Sequence, residues 1–114
     1  MKTFIQTLWV MLIASAIIFM PNFAYAADIQ MGSGGNIVFE PNEITISAGD
    51  TVTVTNGDLH PHNFVVADNP ELSHPDLAFV GGESFDVTFT EAVDYEFQCE
   101  PHAGAGMKGV IHVE

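Results

Sequence analysis

Apolar and polar residues alternate in short runs along most of this chain. Glu43-Ile44-Thr45-Ile46-Ser47 and Thr51-Val52-Thr53-Val54-Thr55 have a strict period of two. Phe85, Val87 and Phe89 share one face of a run from Ser84 to Thr90. Tyr95, Phe97 and Cys99 alternate in the same way, as do Ile111 and Val113 within Gly109 to Val113. A period of two is that of a half-buried strand. Ile29 and Met31 begin a further strand, Asn36 to Phe39 is a short β-prone segment stopped by Pro41, and Asn63 to Ala67 is a fuller apolar run. Between these lie Gly32-Ser33-Gly34-Gly35, Ala48-Gly49-Asp50, Asn56-Gly57-Asp58 and Gly81-Gly82, all turn chemistry. Asp68 to Asp76 reads as an acidic, Pro-containing connection, with room for a helical turn between Asn69 and Leu77. Seven to eight short strands at regular spacing, with no helical period among them, predict an all-β Greek-key sandwich.

The pattern differs before residue 27. Lys2 gives a positive start, Leu8 to Met20 is an apolar run, and Ala24-Tyr25-Ala26 has small residues at the positions a signal peptidase reads. Residues 1–26 are expected to be a secretory signal peptide and 27–114 one domain. An uncleaved anchor is the alternative, but the run is short for a span of about 20 residues. No later run is long enough to cross a membrane, so the mature form is expected not to span one.

Charge narrows the partners. The chain has 15 acidic and two basic residues and a formal net charge of −13. All the acids follow Ala26, so losing Lys2 makes the mature chain more negative still, with Lys108 its only Lys or Arg. Such a surface argues against nucleic acid and anionic membranes. It suits steering toward a basic patch on another protein, or solubility alone.

One cysteine in an exported chain forms no internal disulfide, and a metal ligand is the economical reading. Cys99 stands in Cys99-Glu100-Pro101-His102-Ala103-Gly104-Ala105-Gly106-Met107. A thiolate, an imidazole and a thioether on one short loop are three ligands for a soft metal. With a second His they make the Cys-His-His set with an axial Met of a blue-copper site. Zinc fits Cys and His, but Met is a poor ligand for it. His60, His62, His74 and His112 are the candidates for the second His. His112 should face solvent, in antiphase to Ile111 and Val113. His74, in the acidic connection, reads as a surface residue. His62 leads directly into a strand, which would hold it rigidly, and is preferred; His60 is the fallback.

Several segments together resemble the plastocyanin family of blue-copper proteins (cupredoxins), the cyanobacterial forms above all. They are Phe39-x-Pro41, Gly49-Asp50-Thr51-Val52, Pro61 to Val66, Leu72-Ser73-His74, Gly82 to Phe85, and Cys99 to Met107 with Gly109. The resemblance implies a cupredoxin sandwich holding one type 1 copper, cycling Cu(I)/Cu(II), on His62, Cys99, His102 and Met107. It implies that Asn63 ties the His62 strand to the Cys99 loop. It further implies a monomeric shuttle taking single electrons from cytochrome f to photosystem I, in the thylakoid lumen or the periplasm. Two positions depart from the family: Gln98 stands where a Tyr usually precedes the Cys, and Ala103 where cyanobacterial forms carry Arg. Both bear on partners and leave the ligands intact.

Other classes fit less well. A periplasmic cupredoxin serving another redox protein, or a copper storage or delivery module, would use the same ligands. An oxidase or nitrite reductase would need further copper centres, yet only one His-x-His pair occurs, His60-Pro61-His62. No Ser-His-Asp arrangement, phosphate loop or paired-carboxylate site stands out, and the chain reads as a carrier rather than an enzyme.

Overall fold

The computed structural model describes residues 25–58 and 60–114. They form nine strands: β1 (Tyr25–Met31), β2 (Phe39–Glu40), β3 (Glu43–Ile46), β4 (Asp50–Asn56), β5 (His62–Val66), β6 (His74–Ala78), β7 (Ser84–Phe89), β8 (Asp94–Gln98) and β9 (Lys108–Val113). One sheet has the order β2-β1-β4-β7 and the other β3-β9-β8-β5-β6. β1 pairs with β4, and β3 with β9, in parallel, while the other neighbours run antiparallel. The chain changes sheet between β2 and β3, β3 and β4, β4 and β5, β6 and β7, and β7 and β8, which makes a two-layer sandwich.

The alternation predicted from sequence is what closes the two layers. On β4, Val52 and Val54 are fully buried while Thr51, Thr53 and Thr55 stand half out. The outer face has its own rungs: Thr51 Oγ1 lies 2.8 Å from Thr88 Oγ1, and the Thr53 hydroxyl donates to Asp86 Oδ1 at 2.7 Å. Between the sheets, Phe39, Phe64 and Phe97 pack edge-to-face and offset, with ring centroids 4.8 to 6.2 Å apart. Aromatic pairs favour these geometries. Phe64 is two residues past His62 and Phe97 two before Cys99, so this cluster is the floor on which the metal-binding candidates stand.

Three expectations change. The end of the acidic connection, His74 to Asp76, is part of an edge strand, β6, paired with β5, and the helical turn allowed for in that connection is a 3-10 turn at Pro70–Leu72. His74 on it is half-buried rather than on the surface, stacked flat on Phe85 at 4.0 Å and 8°. Asn36 to Val38 does not join a sheet; only Phe39–Glu40 does, and Ile37 and Val38 are exposed. Residues 1–24 of the expected signal peptide lie outside the described residues, and β1 starts at Tyr25. Among the described residues no helix is long and apolar enough to cross a membrane.

His112 faces outward as expected, but it is not idle. It bridges neighbouring strands, with Nε2 2.7 Å from Glu43 Oε2 and Nδ1 2.9 Å from Asp94 Oδ1. Glu43, then Asp94, raise its pKa above the usual histidine value, against a smaller opposing effect of desolvation. A raised folded-state pKa favours folding while the unfolded chain is also protonated, and that contribution fades as pH rises through the folded value. The stability lost on His112→Gln should therefore be larger at pH 5.5 than at pH 8.5. Denaturant titrations of both proteins check this, and a difference independent of pH would contradict it.

Candidate metal centre

His62, Cys99, His102 and Met107 meet at one end of the sandwich because two strands stop there. β5 begins at His62, and β8 ends just before Cys99. The chain then makes a 3-10 turn, Glu100–Ala105, where the sequence suggested only a loop. Pro101 in its first turn has no N–H to leave unpaired. Gly106 ends it at φ +93°, a left-handed conformation glycine takes without steric cost. Backbone bonds close the segment on itself. Cys99 N–H donates to Met107 C=O at 3.1 Å, His102 N–H to Cys99 C=O at 3.2 Å, and Met107 N–H to His102 C=O at 3.2 Å. Met107 is thereby locked beside Cys99, with its side chain wholly buried.

Asn63 joins this segment to β5. Glu100 N–H donates to Asn63 Oδ1 at 2.8 Å, and Asn63 Nδ2 donates to Glu100 Oε1 at 2.9 Å and to Pro75 C=O at 3.0 Å. Asn63 is almost fully buried. Asn63→Ala strips partners from buried groups and should cost the metal-free protein about 1–3 kcal/mol. Urea denaturation measures it; a loss below about 0.5 kcal/mol would show that the tie does not hold the turn.

The donor atoms converge. Cys99 Sγ lies 3.7 Å from His62 Nδ1 and 3.4 Å from His102 Nδ1, and all three donors fall within 4.8 Å of one another. One ion with bonds of about 2.0–2.3 Å to nitrogen and sulfur reaches all three. Cys99 and His62 are fully buried, while His102 keeps an edge in solvent. Burial pushes the Cys99 thiol pKa up, and hydrogen bonds from the Asn63 and His102 backbone N–H groups partly offset this. Burial likewise holds His62 below the usual histidine value, against the pull of Asp58. A neutral thiol and a neutral imidazole are the metal-free forms such a pocket favours, so metal binding must release the thiol proton. The donors fit a soft, thiophilic metal.

His60 and His62, alternatives in the sequence, are separated by the fold. His62 faces Cys99. His60 is exposed, and its Nδ1 lies 3.0 Å from Asp58 Oδ2. His74 and His112 lie in the separate contacts described above. One residue of this end was not foreseen. Asp58, assigned only to a turn, places Oδ1 2.9 Å from His62 Nε2. Burial raises its pKa, but the hydrogen bonds from His60 and His62 together outweigh that and hold it below the ordinary carboxylate value. A carboxylate four residues before a candidate ligand is the only trace of this in the sequence.

The profile of copper-binding proteins of the plastocyanin/azurin family matches residues 26–114. Plastocyanin A/B of Petroselinum crispum is 40% identical over 96 residues, 76% of this chain and 99% of that protein. The chloroplastic plastocyanin of Hordeum vulgare is 41% identical over 99 residues, 79% of this chain and 64% of that protein. The structure of oxidized plastocyanin from Dryopteris crassirhizoma superposes with a TM-score of 0.69 at 31% identity, covering 77% of this chain and all of that one. Sandwich, buried cysteine–histidine cluster and sequence likeness across the domain agree: the chain belongs to the plastocyanin/azurin family of copper-binding proteins.

Proposed function

We propose that this protein is a small electron shuttle in which His62, Cys99 and His102 would hold one copper, with Met107 as a fourth, weaker ligand. The observation that carries the reading is the convergence of His62 Nδ1, Cys99 Sγ and His102 Nδ1 within 4.8 Å on a buried, hydrogen-bonded frame. Copper supplies a Cu(I)/Cu(II) couple that takes and gives one electron. The chain supplies rigidity. Ligands fixed by β5, β8 and the closed turn have little freedom to rearrange between the two oxidation states, which favours fast transfer over bond chemistry. Burial of Cys99 and His62 speaks against rapid handover of the metal, and so against a delivery role.

The half-exposed edge of His102 is the exit for the electron. Pro61 and Ala103 beside it are half-buried, and Gly104, Ala105 and Gly106 are exposed, which leaves a surface of small groups. Exposed Val38 and Val80 belong to the same end, since Val38 C=O accepts from Gly32 and Val80 C=O accepts from Asn56. A partner would seat on this apolar end, while the acidic surface steers its approach.

Relatives named as plastocyanins support cytochrome f and photosystem I as the partners, and chloroplastic relatives support the thylakoid lumen over the periplasm. In this reading residues 1–26 are a signal peptide removed on export and residues 27–114 the mature carrier. Stopped-flow transfer to a partner with a basic docking face should slow steeply as salt rises. A rate indifferent to salt would overturn the steering. Met107→Leu should keep copper and change the reduction potential. Loss of binding in that variant would overturn its role as the weaker ligand, and a blue protein from His62→Gly but not from His60→Gly would overturn the choice of His62.

A further inference from the structure

Asp58 is built into the metal end in a way the ligand set alone does not require. Its side chain is only 10% exposed. Oδ1 faces His62 Nε2 at 2.9 Å and accepts the backbone N–H of His60 at 3.0 Å, while Oδ2 faces His60 Nδ1 at 3.0 Å. The backbone is fixed as well, because Asn56 Nδ2 donates to Asp58 C=O at 3.0 Å. Space for the pair comes from Gly32, at φ +80°. A Cβ there would meet the Asp58 carboxylate and come within 2.6 Å of His62 Nε2. The first glycine of a turn that reads as merely flexible is thus the opening in which carboxylate and imidazole meet.

An ionised carboxylate only accepts hydrogen bonds. His62 must therefore carry its proton on Nε2, which leaves the lone pair on Nδ1, the nitrogen that faces Cys99. A bond to a charged acceptor is also stronger than one to a neutral carbonyl and draws the proton further from the ring. The imidazole becomes a better electron donor, and a better donor favours the higher oxidation state of the metal it binds. We propose that Asp58 is a positioning residue for the copper centre: it fixes the tautomer and orientation of His62 and, by strengthening its donation, stabilises Cu(II) over Cu(I) and lowers the reduction potential. This rests on His62 being a ligand, as read above.

Asp58→Asn keeps the shape and one acceptor oxygen but removes the charge. The copper-loaded variant should stay blue. Its Cu(II) affinity should fall about tenfold, within the range such outer partners command, with Cu(I) affinity much less changed. A tenfold difference between the two states is about 59 mV for one electron, here upward. The shift should persist at 1 M salt, where a merely nearby charge is screened to within about 3 Å. An unchanged potential in a blue variant, or a shift that salt abolishes, would overturn the role of Asp58 while leaving the ligands standing. Absence of blue colour in the parent protein would strike the ligand reading instead. Side-chain nitrogen NMR of the metal-free parent, where no metal sets the tautomer, reads the effect of Asp58 without any variant. The proton of His62 should be on Nε2, hydrogen-bonded and slow to exchange, and a proton on Nδ1 would overturn the proposal.

Discussion

Cys99→Ala should give a protein that folds, stays colourless with Cu(II) and gains almost no stability from copper. The intense colour of a blue site comes from the thiolate bound to the metal, so removing the only sulfur of its kind removes it. The stability effect follows from linkage. A metal that binds only the folded chain adds about 4 kcal/mol when it is present at 1,000 times its dissociation constant. The parent should show such a gain between metal-free and copper-loaded denaturation curves. Cys99→Ala, with two imidazoles and a weak thioether left, should lose most of it. The metal-free variant should be little changed, because Cys99 contributes one small buried side chain. A variant that kept both colour and gain would place the metal elsewhere.

Phe97→Ala should cost about 3–5 kcal/mol in the metal-free protein, the usual range for emptying a core phenylalanine position. The ring is almost fully buried and packs against Phe39 at 4.8 Å and Phe64 at 4.9 Å. It also lies over Gly109 of β9, where a Cβ would collide with the ring and with the Asn42 carbonyl oxygen. Its loss opens a cavity between β8, β5 and β9, the three strands that hold the ligand segment. A domain of this size has only about 5–15 kcal/mol in all. Copper should restore part of the loss by linkage. Guanidinium denaturation with and without copper measures both effects, and a metal-free loss under about 1 kcal/mol would show that the aromatic floor does not support the site.

The sequence carried most of the sandwich because a half-buried strand writes its burial as a period of two. β3, β4, β7, β8 and β9 all do so. β6 does not: His74-Pro75-Asp76-Leu77-Ala78 has no alternation, contains a proline and sits at a sheet edge, paired only with β5. Its strand character comes from the neighbour, not from its own residues. The metal cluster was legible because Cys99, His102 and Met107 are close in sequence and chemically alike in their preference for soft metals. His62 was separable from His60 because it begins a strand, and a strand end is a fixed place. Asp58 was not legible. Asn56-Gly57-Asp58 is ordinary turn chemistry, and only the folded path brings its carboxylate to Nε2 of His62, across the space that Gly32 leaves. The flat stack of His74 on Phe85 escaped for the same reason, since it joins β6 to β7 across the fold.

The buried cluster at the end of β5 and β8 makes this chain a one-electron copper carrier. Titration of the metal-free protein with Cu(II), followed in the visible, tests it most directly. An intense blue band should saturate at one equivalent, bleach with a mild one-electron reductant and return on reoxidation. A colourless complex, or colour that does not cycle, would contradict it.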